Sequence, residues 1–172
     1  MNTGRGPFPY LQMGEIIMKN MKFDSIIEKA IANEEEANQF YLKLSEMVSD
    51  KMVKDTLLYL ASEEKQHKEY LLHYRQENFI GNATETDETA NNKIAEFLQP
   101  PQVKYDMDSK DVYLLAAARE LNSYNFYKGM AAIHPDGEIK QMLLKMANQE
   151  MKHKEKVEYL YDNTAFVQTD GG

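Results

Sequence analysis

Cysteine is absent from the 172-residue chain, and with it go disulfides, thiolate metal sites, iron–sulfur or rubredoxin-type centres and cysteine nucleophiles. The absence fits a reducing compartment. Long apolar runs are missing too: no stretch approaches the roughly 20 residues that span a bilayer, and nothing near the N-terminus has the apolar heart of a signal peptide. A cytoplasmic protein without a membrane partner is expected. Positive charge is scarce, with 20 Lys and Arg against 28 Asp and Glu, a formal net charge of −8 and a pI of about 5.1. No basic stripe offsets that field, so no nucleic-acid partner is expected. Gly and Pro are few within the periodic stretches, where Ala, Leu, Lys, Glu, Met and Gln dominate. That composition favours helix over strand, and the length suits one all-α domain.

Gly4, Gly6, Pro7, Pro9 and Gly14 argue against regular structure in residues 1–22, which read as an irregular N-terminal extension. Met13, Met18 and Met21 offer alternative translation starts there. A bundle is expected over residues 23–165 and a flexible tail over 166–172. The first helix is expected from Ser25 to Ser49 with Asp24 as N-cap, and the second from Lys51 to Asn78. The tight turn between them makes residues 23–79 an antiparallel hairpin. A second hairpin occupies 109–163: one helix starts at Ser109 and ends before His134-Pro135-Asp136-Gly137, and the last runs to Asp162. Residues 80–108, with Gly81, a Thr/Asn/Asp/Glu-rich stretch and Pro100-Pro101, read as a crossover along the bundle, with a short helix near Asn92–Leu98.

The two hairpins are copies of one plan. AIANEEEANQFY (30–41) aligns with AAARELNSYNFY (116–127), and LASEEKQHKE (60–69) with MANQEMKHKE (146–155). Glu34 and Glu120, Glu64 and Glu150, and His67 and His153 are each 86 positions apart (120 − 34, 150 − 64, 153 − 67). Two repeats are too few for a solenoid, so both hairpins are expected to serve one central site.

Spacings of three and four place these six residues on apolar seams. The seams read Ile27, Ala30, Glu34, Ala37, Tyr41, Leu44, Val48; Val53, Leu57, Leu60, Glu64, His67, Leu71, Tyr74; Tyr113, Ala116, Glu120, Ser123, Tyr127, Met130; and Ile139, Leu143, Met146, Glu150, His153, Val157, Leu160. Four carboxylates at one buried level need compensation, because unpaired burial of each costs several kcal/mol. Two divalent ions neutralise them, and each Glu-x-x-His pair lies on one helical face within reach of the same ion. Glu34, Glu64, His67, Glu120, Glu150 and His153 are therefore the expected metal ligands. Carboxylate oxygen with imidazole nitrogen suits iron or manganese; zinc fits the ligands but not redox work.

Glu35, Glu36 and Glu63 have no matching acid, since Leu121, Asn122 and Gln149 stand opposite them. They read as a solvated or dimer-facing surface. His73 and His134 are likewise unmatched and read as surface or helix-end residues. Tyr41 and Tyr127 lie two turns after their glutamates, where each hydroxyl can bond a ligand carboxylate or simply pack. The eleven Met read as core filler or an apolar dimer face, and no haem ligand stands out.

One Glu from each of two helices plus Glu-x-x-His from each of the other two resembles the rubrerythrins and related ferritin-like di-iron proteins. The match covers approximately residues 23–163 and is strongest at Glu34-x-x-Ala37-x-x-Phe40-Tyr41, Glu64-x-x-His67, Glu120 through Phe126-Tyr127, and Glu150-x-x-His153. The resemblance implies a ferritin-like four-helix bundle with two iron ions at the six residues, Glu64 and Glu150 bridging. It implies reduction of hydrogen peroxide or reaction with dioxygen, a defence against oxidative stress, and a homodimer. Without cysteines the electrons must come from a separate donor protein. Ser123 stands where many rubrerythrins carry an additional carboxylate, which puts movement of iron between ligands in question. Two other readings compete: ferritin-like iron oxidation for storage or delivery, and a non-catalytic helical interaction protein that metal merely stabilises.

Overall fold

In the computed structural model, backbone is described for residues 9–77 and 101–166 and side chains for 24–77 and 101–164. Four helices form there: α1 (Pro9–Glu46), α2 (Lys51–Glu77), α3 (Ser109–Ala132) and α4 (Glu138–Phe166). Among the described residues no helix is long and apolar enough to cross a membrane.

Local chemistry sets the starts. Asp50 accepts from the Val53 amide at 3.0 Å and caps α2, and Asp108 accepts from the Asp111 amide at 2.8 Å and caps α3. Each satisfies an amide that has no partner within the helix. The turn after α1 is tied to the chain entering α3: the Asp106 amide donates to the Met47 carbonyl at 2.9 Å and the Ser49 hydroxyl to Asp106 at 2.7 Å. Asp106 adopts the left-handed conformation, φ 53°, which a short polar side chain tolerates. These bonds put the start of α3 beside the start of α2. The helices therefore run up, down, down, up, and the two ends of the connection between α2 and α3 lie at opposite ends of the bundle.

Several sequence boundaries move. Helix begins at Pro9, not Ser25, so the reading of 1–22 as irregular is corrected over residues 9–22, and Asp24 lies inside α1 rather than capping it. Proline at a first helical position loses no bond, because that amide has no partner anyway. A single interior glycine such as Gly14 costs only about 1 kcal/mol. Glu46 ends α1 before the expected Ser49, which is used in the turn. The last helix continues past Asp162 to Phe166. Residues 1–8, most of the crossover including Asn92–Leu98, and residues 167–172 of the tail lie outside the described residues.

Each hairpin packs closely on itself, α1 on α2 and α3 on α4, while the backbones of different hairpins approach at few points. Long side chains fill the space between. They form two apolar clusters, each fed by all four helices. One contains Tyr41, Leu44, Leu57, Leu60, Tyr113, Ala116 and Val157; the other contains Ile27, Ala30, Leu71, Tyr127, Leu143 and Met146. Burying each Leu or Ile stabilises the fold by about 1.5–3 kcal/mol. Of the expected seam residues, only Met130, Ile139 and Leu160 are part-exposed.

Candidate metal centre

Between the two apolar clusters lies a polar layer. Glu34 comes from α1, Glu64 and His67 from α2, Glu120 from α3, and Glu150 and His153 from α4. All six are buried, with exposures from 0% for Glu34 to 6% for the two histidines.

The imidazoles define two halves. His67 Nδ1 stands 3.2 Å from Glu64 Oε2, 3.2 Å from Glu150 Oε1 and 3.5 Å from Glu34 Oε2. His153 Nδ1 stands 3.4 Å from Glu64 Oε1 and 3.7 Å from Glu120 Oε2. Glu64 is thus shared, one oxygen toward each histidine. The rings stack with centroids 5.3 Å apart and planes 11° from parallel. Glu64, His67, Glu150 and His153 each offer a ligand atom within 4.8 Å of the others, and Glu34 and Glu120 flank this group.

Much of the layer's hydrogen-bonding capacity goes unused inside the protein. Glu34 Oε2, Glu64 Oε1, Glu120 Oε2, both oxygens of Glu150 and His153 Nδ1 are buried without a hydrogen-bond partner. Orphaned acceptors cost about 1–3 kcal/mol each, and more when charged. Because they converge from four helices on one region, cations placed there would satisfy them together. The donor set, carboxylate oxygen and imidazole nitrogen, fits two divalent transition-metal ions.

The protonation equilibria express the same demand for positive charge. Burial, against the pull of His67, raises the Glu34 carboxyl to about 7. Burial and then the charge of Glu64 push Glu150 well above the ordinary carboxylate range. For Glu64, burial and Glu120 push upward, but the nearby imidazoles of His153 and His67 outweigh them and the carboxyl moves down. Burial opposes charging of the histidines, yet both rise: Glu150, Glu34 and Glu64 lift His67, and Glu120 and Glu64 lift His153 to about 10. Without metal, imidazolium supplies the missing charge.

Tyr41 donates its hydroxyl to Glu120 and Tyr127 donates to Glu34, each reaching from one hairpin into the other. Burial, then the receiving carboxylates, raise both phenols well above their ordinary value. They stay protonated and hold the two flanking glutamates in place. Of the two roles open to them from sequence, carboxylate bonding is the one observed.

The repeat criterion missed three features. Glu63, read as a solvated or dimer-facing acid, is 27% exposed and places Oε2 3.7 Å from His153 Nε2. Gln149, its positional counterpart, places Oε1 3.0 Å from His67 Nε2. Arg119 donates to Ser123 Oγ at 2.9 Å and to the Asn33 carbonyl at 3.2 Å, and the Asn33 amide reaches Glu34 Oε1 at 3.4 Å. Ser123 therefore takes part in a polar link beside the layer. Finally, Lys154 and Glu158 form a fully buried pair, both 0% exposed, at 3.0 Å. The signal for these was amphipathic position, since Glu63, Gln149, Arg119, Lys154 and Glu158 each lie one residue from a seam residue.

The remaining acids and histidines without a repeat partner lie outside the layer. Glu36 and His73 are exposed, Glu35 pairs with Lys68 at 2.7 Å, and His134 follows the end of α3.

No curated protein and no solved structure matches the chain. A sequence model of the rubrerythrin family, however, matches residues 25–161, a span that holds α2 and α3 whole, most of α1 and α4, and every residue of the layer. With the up-down-down-up bundle and the paired Glu-x-x-His geometry beside that match, the chain belongs to the rubrerythrin family.

Proposed function

We propose that the layer binds two iron ions and that the protein is a di-iron oxidoreductase reducing hydrogen peroxide or reacting with dioxygen. The observation that carries the reading is the set of orphaned buried carboxylate oxygens around shared Glu64, with an imidazole Nδ1 on either side. Glu34 and His67 would hold one ion and Glu120 and His153 the other, with Glu64 and Glu150 between them. Manganese shares the donor preference and is the alternative metal.

Two ferrous ions would together supply the two electrons that cleavage of an O–O bond consumes. The chain's own residues do the rest. Tyr41 and Tyr127 fix the outer oxygens of Glu120 and Glu34, so these carboxylates meet an ion already oriented. The apolar clusters above and below keep bulk water from the layer, which strengthens every charge interaction within it. Reduction of one peroxide to two waters takes two electrons and two protons. With no cysteine in the chain, we assign re-reduction to a separate electron-donor protein.

Anaerobic loading with ferrous ion followed by titration with peroxide or dioxygen tests the proposal. Two ions per chain and an absorption change complete near one peroxide per pair are expected. Iron-loaded protein that neither oxidant can oxidise would overturn it.

A further inference from the structure

The outer nitrogens of the two histidines meet different groups, and the difference falls at one pair of repeat positions. Residues 63 and 149 are 86 apart (149 − 63), and each reaches across to the histidine of the other hairpin. His67 Nε2 faces the neutral amide oxygen of Gln149 at 3.0 Å. His153 Nε2 faces the Glu63 carboxylate at an ion-pair distance of 3.7 Å. Both Nδ1 atoms point inward at carboxylates, so each outer nitrogen carries the N–H whenever Nδ1 holds a cation. An imidazole whose N–H points at a carboxylate is a stronger donor than one whose N–H meets an amide, because the anion stabilises charge drawn onto the ring. The negative charge of Glu63 also attracts a divalent ion directly, whereas Gln149 brings none. Tyr59, one turn before Glu63 on α2, lies with its ring under the Lys156 ammonium of α4 at 3.4 Å.

We propose that the two ion positions are inequivalent by construction: the one at Glu120 and His153 binds a divalent cation more tightly, with Glu63 as the positioning residue. The inference rests on the di-metal reading and goes beyond it, since symmetric ligands alone give no order of filling. The tighter position fills first, so the singly loaded protein carries its ion beside His153.

Binding of cobalt(II) to the full metal-free chain, followed by calorimetry and ligand-field absorption, tests the order. The parent chain is expected to take up two ions in separable events. Glu63→Gln should weaken the tighter event by about 10–100-fold, the usual effect of losing a group behind a ligand, and leave the weaker event in place. Gln149→Glu should do the reverse and tighten the weaker event. Both positions are at the rim of the layer, so both variants should keep the helical content and melting behaviour of the parent. Two ions bound with affinities that Glu63→Gln does not move, or a shift confined to the weaker event, would overturn the inference alone. Fewer than two ions in the parent chain would defeat the di-metal reading and the inference with it.

Discussion

Hairpin α1–α2 and hairpin α3–α4 agree wherever they face the central layer and differ at its rim. Tyr41 matches Tyr127, Leu57 matches Leu143, and the six layer residues match in pairs, all buried to nearly the same degree. One step outward the copies part: at equivalent positions Asn33 is replaced by Arg119, Glu63 by Gln149, and half-exposed Lys68 by fully buried Lys154. The difference separates two kinds of constraint. Convergent carboxylates and the hydroxyls that hold them leave little freedom, because any unmatched charge at zero exposure must be compensated on the spot. Glu63 and Lys68 keep part of their surface in water while Lys154 is paired inside the protein with Glu158, so there each hairpin has its own solution.

The largest effect should come from the residue the halves share. Glu64→Ala removes the carboxylate that meets both His67 and His153. Native mass spectrometry of the reloaded variant should show no more than one ion per chain, with affinity reduced by more than about 100-fold. Glu34→Ala or Glu120→Ala touches one half, and each should abolish the paired site while leaving the other half able to bind. Retention of two ions by Glu64→Ala would remove the shared-ligand geometry from the account.

Next comes the contrast between Lys154 and Lys68. Lys154 with Glu158 is wholly buried, so Lys154→Met breaks an ion pair in the interior, a change that costs about 3–5 kcal/mol. Lys68→Met opens a half-exposed contact to Glu35, which water replaces and salt screens. Urea unfolding of the metal-free variants should therefore separate the two substitutions widely, and added salt should erase only the Lys68 effect. Similar losses would mean that the rim is as constrained as the layer.

What the sequence revealed follows from which physical signal each feature leaves. Seam positions such as Glu34 and Glu120 were legible because burial repeats every three or four residues and because the two hairpins repeat each other. The same filter hid Glu63: it discarded acids without a matching acid, yet Gln149 does the matching job with an amide. Lys154 was hidden because a lysine one position from a seam residue usually reaches water along its stem. The start of α1 leaves little signal, because glycine and proline are common helix breakers, although a proline at the first turn and one interior glycine disturb little.

A smaller effect tests whether the tyrosines hold both halves alike. Tyr41→Phe and Tyr127→Phe each remove one hydroxyl from a buried carboxylate without changing the ring that packs. Hydrogen bonds to charged groups contribute about 1.5–3 kcal/mol, so both variants should lose comparable stability by denaturant unfolding. A loss confined to one of them would show that the cross-hairpin bonds are not equivalent.

The last comparison sets the metal-free protein against the loaded one along pH. Without metal, Glu34 at about 7 lies above its unfolded value of 4.5, and His153 at about 10 lies above its unfolded 6.5. In both cases the folded state holds the proton longer. Stability from Glu34 is therefore present below 4.5 and lost as pH rises to 7; that from His153 is present below 6.5 and lost as pH rises to 10. The lowered carboxyl of Glu64 has the opposite sign and matters on the acid side, where its contribution is lost as pH falls. The melting temperature of the metal-free chain should thus decline between pH 6.5 and 10. Bound ions displace those protons, so their affinity rises with pH over the same window as competition from protons fades. Loaded protein should therefore gain stability relative to the metal-free chain as pH rises. Parallel pH profiles for the two forms would mean that the ions bind somewhere other than the histidine-bearing layer.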